Sequence, residues 1–313
     1  MDPNAVKRVL VVGAGTMGNG IAQVFARAGI EVSLVDVDQK TLDLAKDRIE
    51  SGLRTLVEYG SVAEKEMGPI MKRIQTSTDL EAMAKDVDFV QEAVVEVPDV
   101  KKEVFSRLES SCPEDTVLAS NTSSLDIFGI VEVKNPKRLV GAHWFAPPHI
   151  IPLVEVAPGP ETAPEVVKFT DGLMKRIGKE TLVMKEFVPG FIVNRLQNAI
   201  AMPVLEMLAQ GSASPEDIDR AVKLTLGVRL PIVGVVQTVD FTGLDLVHDI
   251  LKGLGMTHPV IDERVEKGHL GAKTGEGLYN YGGRSEAEIL NKRDKLYLEM
   301  VDHLSKIKAL DPV

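Results

Sequence analysis

Residues 7–38 read KRVLVVGAGTMGNGIAQVFARAGIEVSLVDVD, and this stretch decides the fold. Lys7–Val12 is a short β-branched run of the kind that forms a strand buried on both faces. Gly13, Gly15 and Gly18 follow in G-x-G-x-x-G spacing. From Met17, apolar residues recur at helical intervals (Met17, Ile21, Val24, Phe25) as far as the helix stop Ala28-Gly29. A second strand, Glu31–Val35, ends in Asp36, eighteen residues beyond Gly18. Each piece has a physical task in holding a dinucleotide. Gly13 permits a tight turn, Gly15 lets the backbone approach a pyrophosphate, and Gly18 allows the helix to pack closely on the strand. The first N–H groups of the helix, at Thr16 and Met17, face the phosphates, and Asp36 accepts hydrogen bonds from the adenosine ribose. A carboxylate there repels a 2′-phosphate, so the expected cofactor is NAD rather than NADP. A glycine-rich turn in some other α/β protein is the bland alternative, but strand, helix and acid in register argue against it.

The alternation continues downstream. Leu42–Val57 has an amphipathic helical pattern, and AEKEMGPIMKRI (63–74) reads as a second helix, making this crossover longer than usual. VDFVQEAV (87–94) reads as a strand, and Pro98–Leu108 as a helix with proline in its first turn. Strands are expected in TVLASNTSSL (116–125), RLVGAHWF (138–145), PLVEV (152–156) and ETLVMK (180–185), with a helix over Thr162–Ile177. That order predicts a Rossmann-type doubly wound α/β sheet, with ligands outside the carboxyl ends of its strands. From Pro189 strand signals stop. Helices are expected over 189–209, from Ser214 (with Pro215 at its first position and Asp217 three residues after the cap) and over 238–254. GHLGAKTGEGLYNY (268–281) is a glycine-rich loop, and Ser285–Leu310 a charged final helix. The expected organisation is a cofactor domain over 1–187, an all-α substrate and dimerisation domain over 188–283, and a helical extension over 284–313.

Composition bounds the possibilities. With 313 residues the chain can build two ordinary cores, and no apolar run approaches the roughly 20 residues that span a bilayer. The N-terminus runs directly into the first strand, leaving no room for a signal peptide, and the single Cys112 suits a reducing compartment, so a cytoplasmic location is expected. A formal net charge of −10 argues against nucleic acid or an anionic membrane as partner. His248, His258, His269 and His303 are scattered without metal-ligand spacing, so no metal is implied, and His149 reads as a loop residue beside the site.

LVGAHWFAPPHIIPLVEV (139–156) carries the chemistry. Glu155 lies between Val154 and Val156 in an apolar strand, where a carboxylate costs several kcal/mol unless it is paired. If both strands stop at the carboxyl edge of the sheet, His143 is the natural partner. The carboxylate then fixes the imidazole tautomer and leaves the other ring nitrogen to take a hydroxyl proton. A purely structural His–Glu hydrogen bond is the competing reading.

GAGTMGNGIA, ASNTSSL, GAHWFAPPHIIPLVEV, PGFIVNRL and AKTGEGLYNY occur in the order found in the 3-hydroxyacyl-CoA dehydrogenase family, and the resemblance covers residues 6–282. The resemblance implies a two-domain, usually dimeric enzyme that oxidises an L-3-hydroxyl with NAD. By position, His143 resembles the family's catalytic base and Glu155 its partner. Ser123 resembles the residue that hydrogen-bonds the substrate oxygen and borders the cofactor, and Asn194 the amide that helps hold the acyl carbonyl. Glu96, Lys101 and Lys273 match cofactor-contacting positions. Taken alone, Ser123 and Asn194 read equally well as capping or bridging residues, and Lys101 as an exposed helical lysine. The chain departs from the family at three points. Ala146 replaces the usual asparagine of H-x-F-N-P. Gly52 and Tyr59 fall where acyl-CoA members carry a serine and a lysine. The chain also extends about thirty residues beyond the usual end. Parts of the sequence resemble the λ-crystallin/gulonate and carnitine dehydrogenase branches, so a free hydroxy acid is the alternative substrate. A non-catalytic, crystallin-like role is the remote third. Cations on the 42–74 hairpin (Lys46, Arg48, Arg54, Lys65, Lys72, Arg73) are candidates to meet CoA phosphates. The apolar positions of FIVNRLQNAIAMPVLEML (191–208) fall on more than one helical face, which favours a homodimer.

Overall fold

The computed structural model describes residues 1–311, so the last two residues of the expected 284–313 extension lie outside the described residues. The chain divides into two compact units, Met1–Asn198 and Ala199–Val313.

The first unit is built on one eight-stranded sheet of order β3-β2-β1-β4-β5-β6-β7-β8. Its strands are β1 (Arg8–Val12), β2 (Glu31–Val35), β3 (Ile74–Ser77), β4 (Phe89–Glu92), β5 (Val117–Ser120), β6 (Leu139–Trp144), β7 (Leu153–Pro158) and β8 (Glu180–Val183). Strands β1–β6 are mutually parallel. The helices are α1 (Thr16–Arg27), α2 (Gln39–Glu58), α3 (Glu64–Lys72), α4 (Leu80–Ala84), α5 (Pro98–Ser111), α6 (Ile127–Ile130) and α7 (Pro164–Arg176). They divide between the two faces because strand side chains alternate. Val9 and Val11 join the core formed with Ile21, Leu42, Ile49 and Leu173 of α1, α2 and α7. Leu10 and Val12 join the opposite core with Leu80, Phe105 and Leu108 of α4 and α5. Each fully buried side chain of this size contributes about 1.5–3 kcal/mol. Phe25 lies between Phe89 and Trp144, at centroid distances of 6.1 and 5.9 Å, so an aromatic cluster joins α1 to the middle of the sheet.

Two expectations need correction. AEKEMGPIMKRI was read as helix to its end, but α3 stops at Lys72 and Ile74 opens β3. Gln75, Thr76 and Ser77 leave that edge strand without the apolar run that marks buried strands. Nor do the strands of His143 and Glu155 both stop at one edge. β6 and β7 are antiparallel, so β6 ends where β7 begins.

The second unit is helical. Helix α8 (Val193–Ala209) begins in the first unit and continues into the second. It is followed by α9 (Pro215–Leu224), α10 (Leu226–Thr242), α11 (Leu244–Gly253), α12 (Pro259–Glu266) and α13 (Glu286–Lys306). Ser214 caps α9 through the Asp217 N–H, and α10 breaks at Gly234, whose φ of 65° suits glycine. Buried Asp240 accepts hydrogen bonds from the Leu278 and Tyr279 N–H groups and the Tyr281 hydroxyl, which pins the glycine-rich loop to α10. No single described helix is long and apolar enough to cross a bilayer.

Candidate active site

The antiparallel register of β6 and β7 sets His143 directly opposite Glu155. The side chains meet at 2.8 Å, Nδ1 to Oε2, with His143 4% and Glu155 0% exposed. With a carboxylate as acceptor, Nδ1 carries the proton, and Nε2 is the ring nitrogen left to act on a ligand. The second carboxylate oxygen, Oε1, accepts the backbone N–H groups of Ile192 and Val193, each at 3.0 Å. The buried charge is thus matched on both sides, as its cost requires. Phe191 makes this approach possible. Its backbone is left-handed (φ 50°), a conformation costing a side-chain-bearing residue about 1 kcal/mol or more. Its fully buried ring packs on the imidazole at a centroid distance of 4.7 Å, and Phe145 meets the same ring edge-on at 4.5 Å.

His143 lines a cavity of about 560 Å³ together with Met17, Ser123, Ala146, Val193 and Asn194. Ser123 sits on the turn after β5, and one carboxylate oxygen of Glu96 holds that turn. Glu96 Oε1 accepts the Thr122 hydroxyl (2.6 Å) and the N–H groups of Ser123 (2.9 Å), Ser124 (3.0 Å) and Leu125 (3.3 Å). Burial raises the Glu96 carboxyl, but these donors and the Lys101 charge outweigh it and hold the group down at about 2. The Asn194 side-chain amide donates to the Ser123 carbonyl at 3.2 Å, leaving its second N–H and its oxygen free to meet a ligand.

Lys101 is not the exposed helical lysine that its position alone suggested: it is 1% exposed, and its ammonium lies 2.7 Å from Glu92 and 3.2 Å from Glu96. It therefore supports the Ser123 turn through two carboxylates. Lys273 lies in the second unit, where it pairs with Asp245 at 2.5 Å. Tyr59, one of the two departures on α2, is 84% exposed. At Gly52, a Cβ would come 3.0 Å from Gln23 Oε1 and 3.4 Å from His149 Nε2, so the glycine makes room for those side chains.

Several contributing residues escaped the sequence reading. Glu92 is fully buried at the end of β4, accepting Lys101 and the Ser120 hydroxyl (2.5 Å). Asn121 Oδ1 accepts the Trp144 N–H (2.7 Å), and Gln91 Oε1 accepts the Trp144 indole N–H (3.1 Å), fixing the end of β6 beside His143. A polar residue in an apolar strand was the available signal, used for Glu155 but not for Gln91 and Glu92.

The carboxyl ends of β1 and β2, on the same edge of the sheet as His143, fit a dinucleotide. Gly13 has φ 98°, and a Cβ there would lie 2.6 Å from the Ala93 carbonyl oxygen. A Cβ on Gly18 would lie 1.7 Å from the Gly13 carbonyl oxygen. At Gly15 nothing lies within 4 Å, and the N-terminus of α1 has no side-chain cap, leaving the N–H groups of Thr16 and Met17 for phosphate oxygens. Asp36 accepts the Ala14 N–H at 2.8 Å, with lone pairs remaining for ribose hydroxyls. It borders a cavity of about 340 Å³ walled by Val37, Val95, Val100 and Val104, suited to an adenine. Arg107 lines the same cavity but is committed to Glu81 through two hydrogen bonds, at 2.6 and 3.0 Å.

Comparison with known proteins agrees with this construction. The model of the 3-hydroxyacyl-CoA dehydrogenase NAD-binding domain matches residues 8–187, and that of the family's C-terminal domain matches 190–281. The mitochondrial hydroxyacyl-coenzyme A dehydrogenase of Homo sapiens is 37% identical over 291 residues, covering 88% of this chain and 91% of that protein. A 5-formyl-3-hydroxy-2-methylpyridine 4-carboxylate 5-dehydrogenase of Mesorhizobium japonicum is 30% identical over 284 residues, covering 88% and 91%. The crystal structure of the 3-hydroxyacyl-CoA dehydrogenase of Archaeoglobus fulgidus superposes with a TM-score of 0.77 at 31% identity, covering 96% of this chain and 99% of that one. A chain whose family match runs through both units, with a fitting dinucleotide site, belongs to the 3-hydroxyacyl-CoA dehydrogenase family and is an NAD-dependent oxidoreductase.

Proposed function

We propose that this enzyme oxidises the 3-hydroxyl of an L-3-hydroxyacyl-CoA to the 3-oxo thioester. The observation that carries the reading is the buried His143–Glu155 pair at 2.8 Å on the wall of a cavity shared with Ser123 and Asn194. Bound NAD supplies the acceptor for the hydride that leaves the carbinol carbon. His143 Nε2 takes the hydroxyl proton as the C–O bond becomes a carbonyl, and Glu155 stabilises the resulting imidazolium. Ser123 Oγ hydrogen-bonds the reacting oxygen, and the free N–H of Asn194 holds the thioester carbonyl. The full burial of Glu155 behind an imidazole that borders the cavity supports this over a purely structural pair.

A free hydroxy acid is the second reading, and Ala146 favours it. The cavity wall lacks the amide that the family places there, and the Mesorhizobium relative carries a free carboxylate compound in its name. The deciding experiment follows NADH absorbance and compares catalytic efficiency for 3-hydroxybutyryl-CoA with free 3-hydroxybutyrate, gulonate and carnitine. The thioester is expected to lead; a free acid ahead by roughly tenfold, or about 1.4 kcal/mol in the barrier, overturns the acyl-CoA reading. We further propose a cytoplasmic homodimer. Exposed apolar side chains on α8 support the dimer, and the lone cysteine supports the compartment.

A further inference from the structure

A second cavity of the first unit, of about 780 Å³, lies between the carboxyl end of α1, α3, the loop after β6 and the α7–β8 turn. Its wall carries Arg27, Arg73, Arg176, Lys179 and His149 against a single acid, Glu66. None of the three arginines or Lys179 has a carboxylate within 4.0 Å among the described residues. In a chain with 46 acidic and 36 basic side chains, four unpaired cations around one concavity go against the charge balance. Three of the four donate to backbone carbonyls instead. Arg73 donates to Ala26 (3.3 Å), Arg176 to Pro3 (2.7 Å) and Val6 (2.9 Å), and Lys179 to Pro148 (2.5 Å) and Ile151 (2.7 Å). Carbonyls fix the position of these groups without supplying a counter-charge, and Lys179 also lies 5.2 Å from the centroid of the Trp144 ring. The arginines have donors to spare, since each carries five N–H groups. Lys179 is 6% exposed, and its burial, with Arg27 nearby, brings the ammonium down to about 8. The site holds positive charge at a cost that a counter-ion within it would offset.

We propose that this cavity binds a phosphate-bearing anion, with Arg27 and Arg73 as its principal charged contacts. Two sources share that chemistry: the phosphorylated nucleotide end of a CoA thioester, and a free phosphorylated metabolite acting away from the cavity that contains His143. Gly52 and Tyr59, where acyl-CoA relatives carry polar contacts, do not line this cavity, so the cations here form a separate set.

The test is calorimetric titration of the full chain, saturated with NADH to occupy the dinucleotide site, with inorganic pyrophosphate and with adenosine 3′,5′-bisphosphate. One anion per chain is expected, and Arg27→Ala should weaken binding about ten- to hundredfold, as loss of a charge-assisted contact implies. Glu66→Gln should tighten it several-fold. That variant keeps the oxygen that accepts the Ala63 N–H, so it serves even where Arg27→Ala folds poorly. KM then separates the sources. A rise for the CoA thioester in Arg27→Ala, with no change for the N-acetylcysteamine thioester, identifies the substrate's own phosphates. Unchanged KM for both, with anion binding lost, identifies a free anion. No binding by the wild type up to about 10 mM, or equal binding by wild type and both variants, overturns the proposal. The calorimetric result does not depend on the substrate, so failure of the acyl-CoA reading would leave it intact.

Discussion

Glu155 accepts the Val193 N–H at 3.0 Å, which ties the β6–β7 pair to the first turn of α8. Its other oxygen holds His143, so one carboxylate orients the imidazole and anchors the segment that carries Asn194. Glu155→Gln keeps the shape and an acceptor for the backbone amides while removing the charge beneath the imidazolium. Turnover is expected to fall by about 10²-fold or more, and His143→Gln by about 10²–10⁴-fold, the usual contribution of a positioned acid–base group. NADH affinity should be unchanged in both, since neither residue borders the Asp36 cavity. Near-normal turnover in His143→Gln would move the base elsewhere.

The preference for NAD rests on Asp36, but the structure adds a second control. The residues directly after Asp36 (Val37, Asp38, Gln39) offer no cation to a 2′-phosphate, whereas Arg107, distant in sequence, lines the same cavity and is neutralised by Glu81. Wild-type efficiency with NAD should exceed that with NADP by at least about 10²-fold, and Asp36→Ser with Glu81→Gln should shrink the gap by about tenfold or more by freeing Arg107. Comparable use of both cofactors by the wild type would sink the assignment to Asp36. An unchanged ratio in the double variant would sink the role of Glu81.

Glu96 makes the stability of the Ser123 turn pH-dependent. Its carboxyl titrates at about 2 in the folded protein against an ordinary 4.5. A depressed folded value means the unfolded chain binds the proton first as pH falls. The stabilisation is therefore complete above about 4.5 and is lost progressively toward 2. Glu96→Gln should lower Tm at neutral pH and flatten the decline of Tm across that acid window. A variant whose Tm falls with pH as steeply as the wild type would show that the carboxylate contributes nothing there.

Much of this fold was legible because the relevant signals are local. The glycine turn, the alternation of β1 and the Ser214 cap of α9 each depend on a few adjacent residues, and each formed where the pattern put it. What was missed depends on long-range pairing. Ile74–Ser77 is too polar to announce a strand and becomes one by hydrogen-bonding the edge of β2. Lys101 looks like a surface lysine on an amphipathic helix until β4 brings Glu92 beneath it. The Ile192 and Val193 amides give no sequence signal at all, because their partner lies 37 and 38 residues earlier. Glu155 was readable because a lone carboxylate in a buried strand demands a partner, and His143 was within reach of that demand.

Helix α8 has no buried residue, although Leu196, Ile200, Met202, Leu205 and Leu208 are each at least 38% exposed along it. An apolar surface of that length on a single chain favours association. Light scattering at micromolar concentration should give twice the chain mass of 34.0 kDa. Leu205→Glu should shift the protein toward monomer while leaving the far-ultraviolet circular dichroism intact. A wild-type monomer would refute the dimer.

The two departures on α2 differ physically, so they respond differently to reversal. Tyr59 caps the end of α2 and is 84% exposed, so replacing it removes almost no packing. If the CoA moiety crosses that end of the helix, Tyr59→Lys restores a phosphate contact and should lower KM for the CoA thioester by roughly three- to tenfold, in line with one exposed charge-assisted bond. KM for the N-acetylcysteamine thioester should not move. Gly52→Ser is not a simple restoration. Its Cβ would sit 3.0 Å from Gln23 Oε1, tighter than side-chain carbons normally pack, so Gln23 or His149 must give way. That variant should lose about 1 kcal/mol of stability and gain little affinity unless Gln23→Ala relieves the crowding. If Tyr59→Lys leaves both KM values where they were, CoA does not pass over the end of α2, and the case for a free hydroxy acid gains accordingly.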